Sequence, residues 1–198
     1  MKKEINENTV TKEYFSKPGN MVYPVPAVLV SCADKDGKAN LITIAWTGTI
    51  CSDPAMLYIS VRKERHSYEI IKNSGEFVLN LTTEKLAGAT DYCGCTTGSK
   101  IDKFKECSLT PQKCSYVSCP AVLESPVSIE CKVTDIIPLG SHDMFLARVE
   151  GISVDSSLMD EKGVLHLENA GLIAYSHGKY RSLGDIIGKF GYSVQKKK

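Results

Sequence analysis

Apolar residues in this chain fall into short runs of strand length, set between clusters of turn formers. Residues 27–33, AVLVSCA, make one continuous apolar run, and Asp34-Lys35-Asp36-Gly37 follows with the Asp/Gly chemistry that tolerates positive φ in a tight hairpin. The returning strand is predicted over Asn40 to Trp46, Ser52-Asp53-Pro54 breaks the pattern, and Ala55 to Val61 begins another strand. The period then changes. His66 to Ser74 reads as a short helix with Tyr68, Ile70 and Ile71 on its apolar side and Gly75 as its C-terminal stop, and Glu76 to Leu81 returns to a strand. From Thr82 to Leu123 the periodicity weakens: Leu86 to Tyr92 is predicted helical, while Gly94 to Lys100 and Cys107 to Pro120 are rich in turn formers. Such a long excursion is of the kind that carries or covers a site, and is suited to reach a second copy of the chain. Strand patterns resume at Val127 to Ile137 and Met144 to Val154, with a turn region around His142 between them. Many short strands, few short helices and no βαβ rhythm predict a mainly β chain folded as an antiparallel barrel.

A length of 198 residues supplies one good core, and no linker, repeat or low-complexity segment divides it. A single domain over 1–198 is expected, with 1–19 and 193–198 as peripheral tails and Lys196-Lys197-Lys198 as a solvated end. The net charge of +1 provides no long-range attraction to nucleic acid or an anionic membrane, so neither is expected as a partner. The early lysines lack a following apolar region, and no segment approaches the roughly 20 apolar residues of a spanning helix, so a cytoplasmic location is expected. There the eight cysteines would be reduced thiols, and their spacing, without a CxxC pair, is poor for zinc, so no metal is expected. There is no GxGxxG after a strand, and Gly94 to Lys100 lacks P-loop spacing. Any nicotinamide must therefore dock without a dedicated domain.

The chemistry concentrates between Asn40 and Ser67. The only tryptophan, Trp46, leads into the small residues Thr47, Gly48 and Thr49, an expected turn offering a stacking face and close backbone approach. Further on, Arg62, Lys63, Arg65, His66 and Ser67 place cations and a hydroxyl at a helix start, opposed only by Glu64. A flat aromatic ligand carrying a phosphate would use both. The plainer readings are a core tryptophan, a turn-satisfying Asn40, an ordinary N-cap at Ser67 and a solvated charge run. By themselves Lys103 reads as a surface lysine, His142 as an exposed loop residue and Tyr175 as a core aromatic.

At Asn40 to Trp46, Ser60 to Leu81, DYCG with DKF (Asp91 to Gly94, Asp102 to Phe104) and SHDMFLARV (Ser141 to Val149), the chain resembles the flavin reductase-like, FMN-binding split-barrel family, within it the flavoredoxin branch. The resemblance covers most of residues 20 to 180. It implies a split β-barrel of the Greek-key, FMN-binding type, and FMN answers the ligand description above. It makes Trp46 a wall beside the flavin, Asn40 and the backbone of Thr47 to Thr49 ring contacts, and Arg62 to Ser67 the phosphate site. It adds Lys103 as a further cation, facing the ring's electron-rich edge, and puts His142 and Tyr175 near the flavin or its substrate face. It further implies an oxidoreductase or electron carrier that takes electrons from NAD(P)H or a redox partner and passes them to a small-molecule or protein acceptor. A homodimer with FMN near its interface is implied as well. The alternative is a non-catalytic flavin- or haem-binding split barrel, and a thiol-based role for the cysteine-rich 93–119 region is a further reading.

Overall fold

The computed structural model describes residues 11–194. The β-branched and aromatic runs form strands β1 (Val25–Pro26), β2 (Val28–Ala33), β3 (Ala39–Ile44), β4 (Thr47–Ser52) and β5 (Ala55–Arg62), followed by helix α1 (His66–Ser74) and β6 (Glu76–Leu81). Helices α2 (Ala87–Cys95) and α3 (Lys103–Glu106) and the short pair β7 (Pro111–Gln112) and β8 (Ala121–Val122) occupy the middle of the chain. The long strands β9 (Val127–Pro138) and β10 (His142–Val154) and a final hairpin, β11 (Ile173–Ser176) and β12 (Lys179–Ser182), complete it. The helix and β6 have the bounds their periodicity predicts. Gly75 closes α1 at φ 70°, its N–H bonding to Ile71 O at 2.9 Å, a conformation any side chain would strain.

Seven antiparallel strands form the main sheet in the order β3-β2-β6-β9-β10-β5-β4. The sheet curls so that Ala45-Trp46 carries the chain from β3 at one edge to β4 at the other; the Ser60 N–H to Trp46 O bond at 2.8 Å extends the β4–β5 pairing, and no ladder joins β3 to β5, so the barrel is split there. Alternation along β5 sends Leu57, Ile59 and Val61 inward and leaves Tyr58, Ser60 and Arg62 on the outer face. Tyr68 and Ile71 of α1 join that interior, where the Tyr68 ring meets Phe145 edge-on at 5.4 Å.

The Thr82 to Leu123 excursion does not project. Cys93, Phe104, Leu109 and Val122 pack on Leu29 and Leu41, and Val117, Cys119 and Ala121 pack on Ala33 and Val78. With apolar matter on both faces, β2 needs no polar alternation, which explains its apolar run; its one polar residue, Ser31, is buried and accepts from Asn80 Nδ2 at 3.1 Å. Buried Glu130 anchors the excursion by accepting the N–H groups of Ser115, Tyr116 and Val117. Two local expectations change. Thr47-Gly48-Thr49 is part of β4 rather than a turn, because it pairs with Ile59, Tyr58 and Leu57 of β5, and His142 is the first residue of β10. Of the expected tails (1–19 and 193–198), residues 1–10 and 195–198, including the three terminal lysines, lie outside the described residues, whereas Gly19, the last residue of the N-terminal tail, lines a chamber together with the adjoining Asn20, Met21 and Val22.

Candidate functional site

The head of α1, the start of β3 and the C-terminal end of α2 converge on a hollow of about 310 Å³, lined by Asn40, Arg65, His66, Ser67, Gly98 and Lys103 among others. Arg65 occupies the N-cap position in extended conformation and supplies no side-chain cap, so the first amides of α1 keep their donors available. Ser67 is thus the second helical residue rather than the N-cap. It is 1 % exposed, and its Oγ accepts from Asn40 Nδ2 at 2.7 Å, so its hydroxyl proton is not used by Asn40; the Cys32 thiol beside it is its protein partner, which a ligand anion would replace.

Lys103 is not a surface residue but 3 % exposed, with Nζ donating to Leu41 O and Cys93 O, both at 2.8 Å. An ammonium has three donors, so one remains for a ligand. Burial pulls its pKa below the ordinary lysine value, and its ionisable neighbours are thiols and Arg65, not carboxylates. Arg65 in turn donates from Nη2 to Gly94 O at 2.7 Å. Carbonyls of two consecutive residues, at the negative end of the α2 dipole, therefore seat both cations. A buried cation without a counter-charge is costly, and an anion set against it offsets that cost. The hollow also has a tight rim: a Cβ on Gly98 would fall 1.9 Å from Asn40 Oδ1, so only glycine lets this loop pass the amide.

Below the hollow a slit of about 180 Å³ runs between β3 and β5, with Ile42 to Trp46 on one side, Ser60 to Arg62 on the other, and Arg65, Gly94 and His142 closing it. It opens into a chamber of about 720 Å³ that it shares with Trp46, Arg62 and His142, and whose outer walls include Met21, Val22 and Tyr58. Hollow, slit and chamber form one trough: cationic at its head, narrow and flanked by β-strand side chains in the middle, wide at its mouth. Trp46 is braced by Tyr23, the ring centroids 6.0 Å apart. His142 lies opposite Arg62 in the β10–β5 register; burial and the Arg62 charge lower its pKa, so it is predominantly neutral at pH 7.

The flavin reductase-like domain family matches residues 20–184. The chain belongs to this family. Flavoredoxin of Desulfovibrio vulgaris (Miyazaki F) is 27 % identical, with a TM-score of 0.86 over 93 % of this chain and 100 % of that one. Flavoredoxin from Methanosarcina acetivorans shares the fold at a TM-score of 0.82, with 24 % identity over 93 % of this chain and 100 % of that one. An uncharacterised protein of Aquifex aeolicus is 26 % identical over 175 residues, covering 86 % of this chain and 84 % of its own. Membership makes this a flavin-related oxidoreductase with a flavin cofactor.

In this flavin reductase-like chain, Asn40, Arg65, His66, Ser67 and Lys103 meet at the head of the trough, and Trp46, Arg62 and His142 meet at the slit and chamber. Lys103 lines the hollow at the head and not the slit. Other expected residues lie elsewhere. Lys63 turns to Asp143, Nζ to Oδ1 3.3 Å, because that buried carboxylate, already accepting Tyr68 OH at 2.6 Å, is the nearer counter-charge. Thr47 is buried, donating from Oγ1 to Tyr58 O at 2.5 Å, Gly48 packs on the Tyr58 ring and Thr49 is exposed, so none of the three lines the trough. Tyr175 sits behind the wall, 6.2 Å from Tyr23, which it supports. Sequence reasoning missed Gly94, Gly98, Tyr58 and the Met21–Val22 wall; the glycine-rich 94–100 stretch was the signal for the first two. Among the described residues there is no cluster of three or more metal-ligating side chains, no disulfide, and no helix long and apolar enough to cross a membrane.

Proposed function

We propose that the chain binds FMN in the trough and works as a flavoredoxin-like electron-transfer oxidoreductase. The observation that carries this reading is the seat at the trough's head. A buried ammonium and a guanidinium, each held by an α2 carbonyl, face an uncapped helix start with Ser67 between them. That seat suits a phosphate monoester, and the slit beside Trp46 suits the flat ring attached to it. FMN supplies both one- and two-electron redox chemistry when bound. The chain's own residues position and exclude: Asn40 orients Ser67, Trp46 and Ile42 flank the slit against water, and neutral His142 offers a ring nitrogen toward the chamber.

The chamber, open and without a dinucleotide-binding fold, admits either a nicotinamide with modest affinity or the surface of a redox partner. The word flavoredoxin in the name of the Desulfovibrio structure favours the carrier. We assign the chain to the cytoplasm and to a homodimer. Its terminal segments display Phe15, Ile186, Ile187 and Phe190 to solvent, apolar side chains that a second copy of the chain would cover.

The test is a visible spectrum of the freshly purified protein, followed by titration with FMN and riboflavin. A flavin spectrum and FMN binding at least tenfold tighter than riboflavin are expected, and Lys103→Met abolishes that preference. A Soret band, or a colourless protein that takes up neither flavin, overturns the reading. Anaerobic stopped-flow reduction then separates donors: fast, saturable bleaching by NADH or NADPH marks a reductase, and bleaching only by a reduced redox protein marks the carrier.

A further inference from the structure

Two thiols lie directly behind the cationic seat. Cys93 Sγ and Cys107 Sγ are 3.9 Å apart, among the described residues the one thiol pair in contact. Cys93 is fully buried among Leu41, Leu86 and Phe104, whereas Cys107 is partly exposed. The pair is tied to Lys103 from both sides. The Cys93 carbonyl accepts the Lys103 ammonium at 2.8 Å, and the Cys107 N–H donates to Lys103 O at 3.1 Å, one turn along α3. The next residue, Gly94, holds Arg65.

We infer that Cys93 and Cys107 are an oxidisable pair that hydrogen peroxide closes to a disulfide, and that closure unseats Lys103 and loosens the anion end of the trough. The chemistry balances. The more accessible Cys107, as thiolate, attacks one peroxide oxygen; the O–O bond breaks, the departing hydroxide is protonated to water, and a sulfenic acid remains. The Cys93 thiol gives up its proton and attacks that sulfur, and the sulfenic hydroxyl leaves as a second water. Two thiols and one peroxide become one disulfide and two waters, the sulfurs losing the two electrons the peroxide gains.

Bond formation brings the sulfurs from contact to about 2.05 Å. Side-chain rotation supplies part of that shift of about 2 Å, and in a close-packed cluster the rest falls on the last turn of α2 and on α3, both of which hold Lys103. The link to flavin affinity rests on the FMN reading above, but the disulfide and the Lys103 displacement do not.

Full-length protein is treated with one equivalent of hydrogen peroxide, its remaining thiols are blocked with N-ethylmaleimide, and its amines are labelled with acetic anhydride. Peptides are then mapped without reductant. The expected result is a Cys93–Cys107 linked peptide together with a several-fold rise in Lys103 acetylation, both reversed by dithiothreitol and both missing in Cys107→Ser. FMN binding measured on the same samples falls several-fold on oxidation and recovers on reduction. Cys107 found oxidised alone, or joined to Cys95, overturns the pairing. A linked peptide with Lys103 still protected overturns the coupling. Both changes in a protein that binds no FMN in either state strike the FMN reading and leave this one standing.

Discussion

Lys103 concentrates the physics of the site in one side chain, since its charge is buried without a carboxylate and its pKa is depressed by that burial. A lysine whose folded pKa is lowered weakens the folded state while it is charged. That penalty is relieved as pH rises from the folded value toward the unfolded one. Anion binding has the opposite demand and needs the proton. FMN affinity is therefore expected to fall with rising pH before the ordinary lysine range, with riboflavin affinity flat over the same span; parallel curves for the two in fluorescence titrations would contradict the assignment. Ser67→Ala leaves the buried Asn40 amide without its acceptor and removes a donor from the anion, and is expected to cost about 1–3 kcal/mol of FMN affinity and much less for riboflavin. Trp46→Ala, by contrast, lowers both affinities alike, because it removes wall area beside the ring.

At the scale of elements, α2 is the organising piece, its C-terminal carbonyls holding Arg65 and Lys103 and the loop after it folding over Asn40. Gly98→Ala is expected to drive that loop off the amide and weaken FMN binding, with little change in thermal unfolding, since nothing in the barrel core touches it. Gly75→Ala should do the reverse. It strains the left-handed end of α1 and costs about 1 kcal/mol of stability in denaturant titrations, with FMN binding retained. Helix α1 and β6 were legible in the sequence because their signals are local: a change of period at His66 and a glycine at the stop. β4 was not, since Thr47-Gly48-Thr49 acquires strand geometry only by pairing with β5, and small residues alone read as a turn.

For the whole molecule, the interior of the curled sheet sets stability, and the proposed homodimer rests on the apolar residues of the exposed terminal segments. Phe145, fully buried on β10 against Tyr68, is expected to cost about 3–5 kcal/mol when cut back to alanine, read as a lowered unfolding midpoint. Sedimentation of the full chain at micromolar concentration is expected to give a dimer, and removal of residues 183–194 to shift it toward monomer. A monomer in both cases would place the exposed apolar residues of those segments outside any interface.

The sequence alone determined what short-range chemistry encodes. Its strand-length runs and turn formers marked the β elements, and its small net charge put any anion recognition at a local cluster. The resemblance at Asn40 to Trp46 and Ser60 to Leu81 named the family. Only the tertiary structure decided which cations serve the trough. Lys63 and Arg65 are indistinguishable as neighbours in a charge run, yet one is drawn outward by the buried carboxylate of Asp143 and the other is held inward by Gly94 O. Lys103 reads by itself as a solvated lysine and only the resemblance made it a site cation; its burial comes from the carbonyls of Cys93, ten residues away on α2, and Leu41, 62 residues away on β3. Burial and electrostatic pairing depend on what the rest of the chain places within a few ångströms, and that distance is not written along the chain.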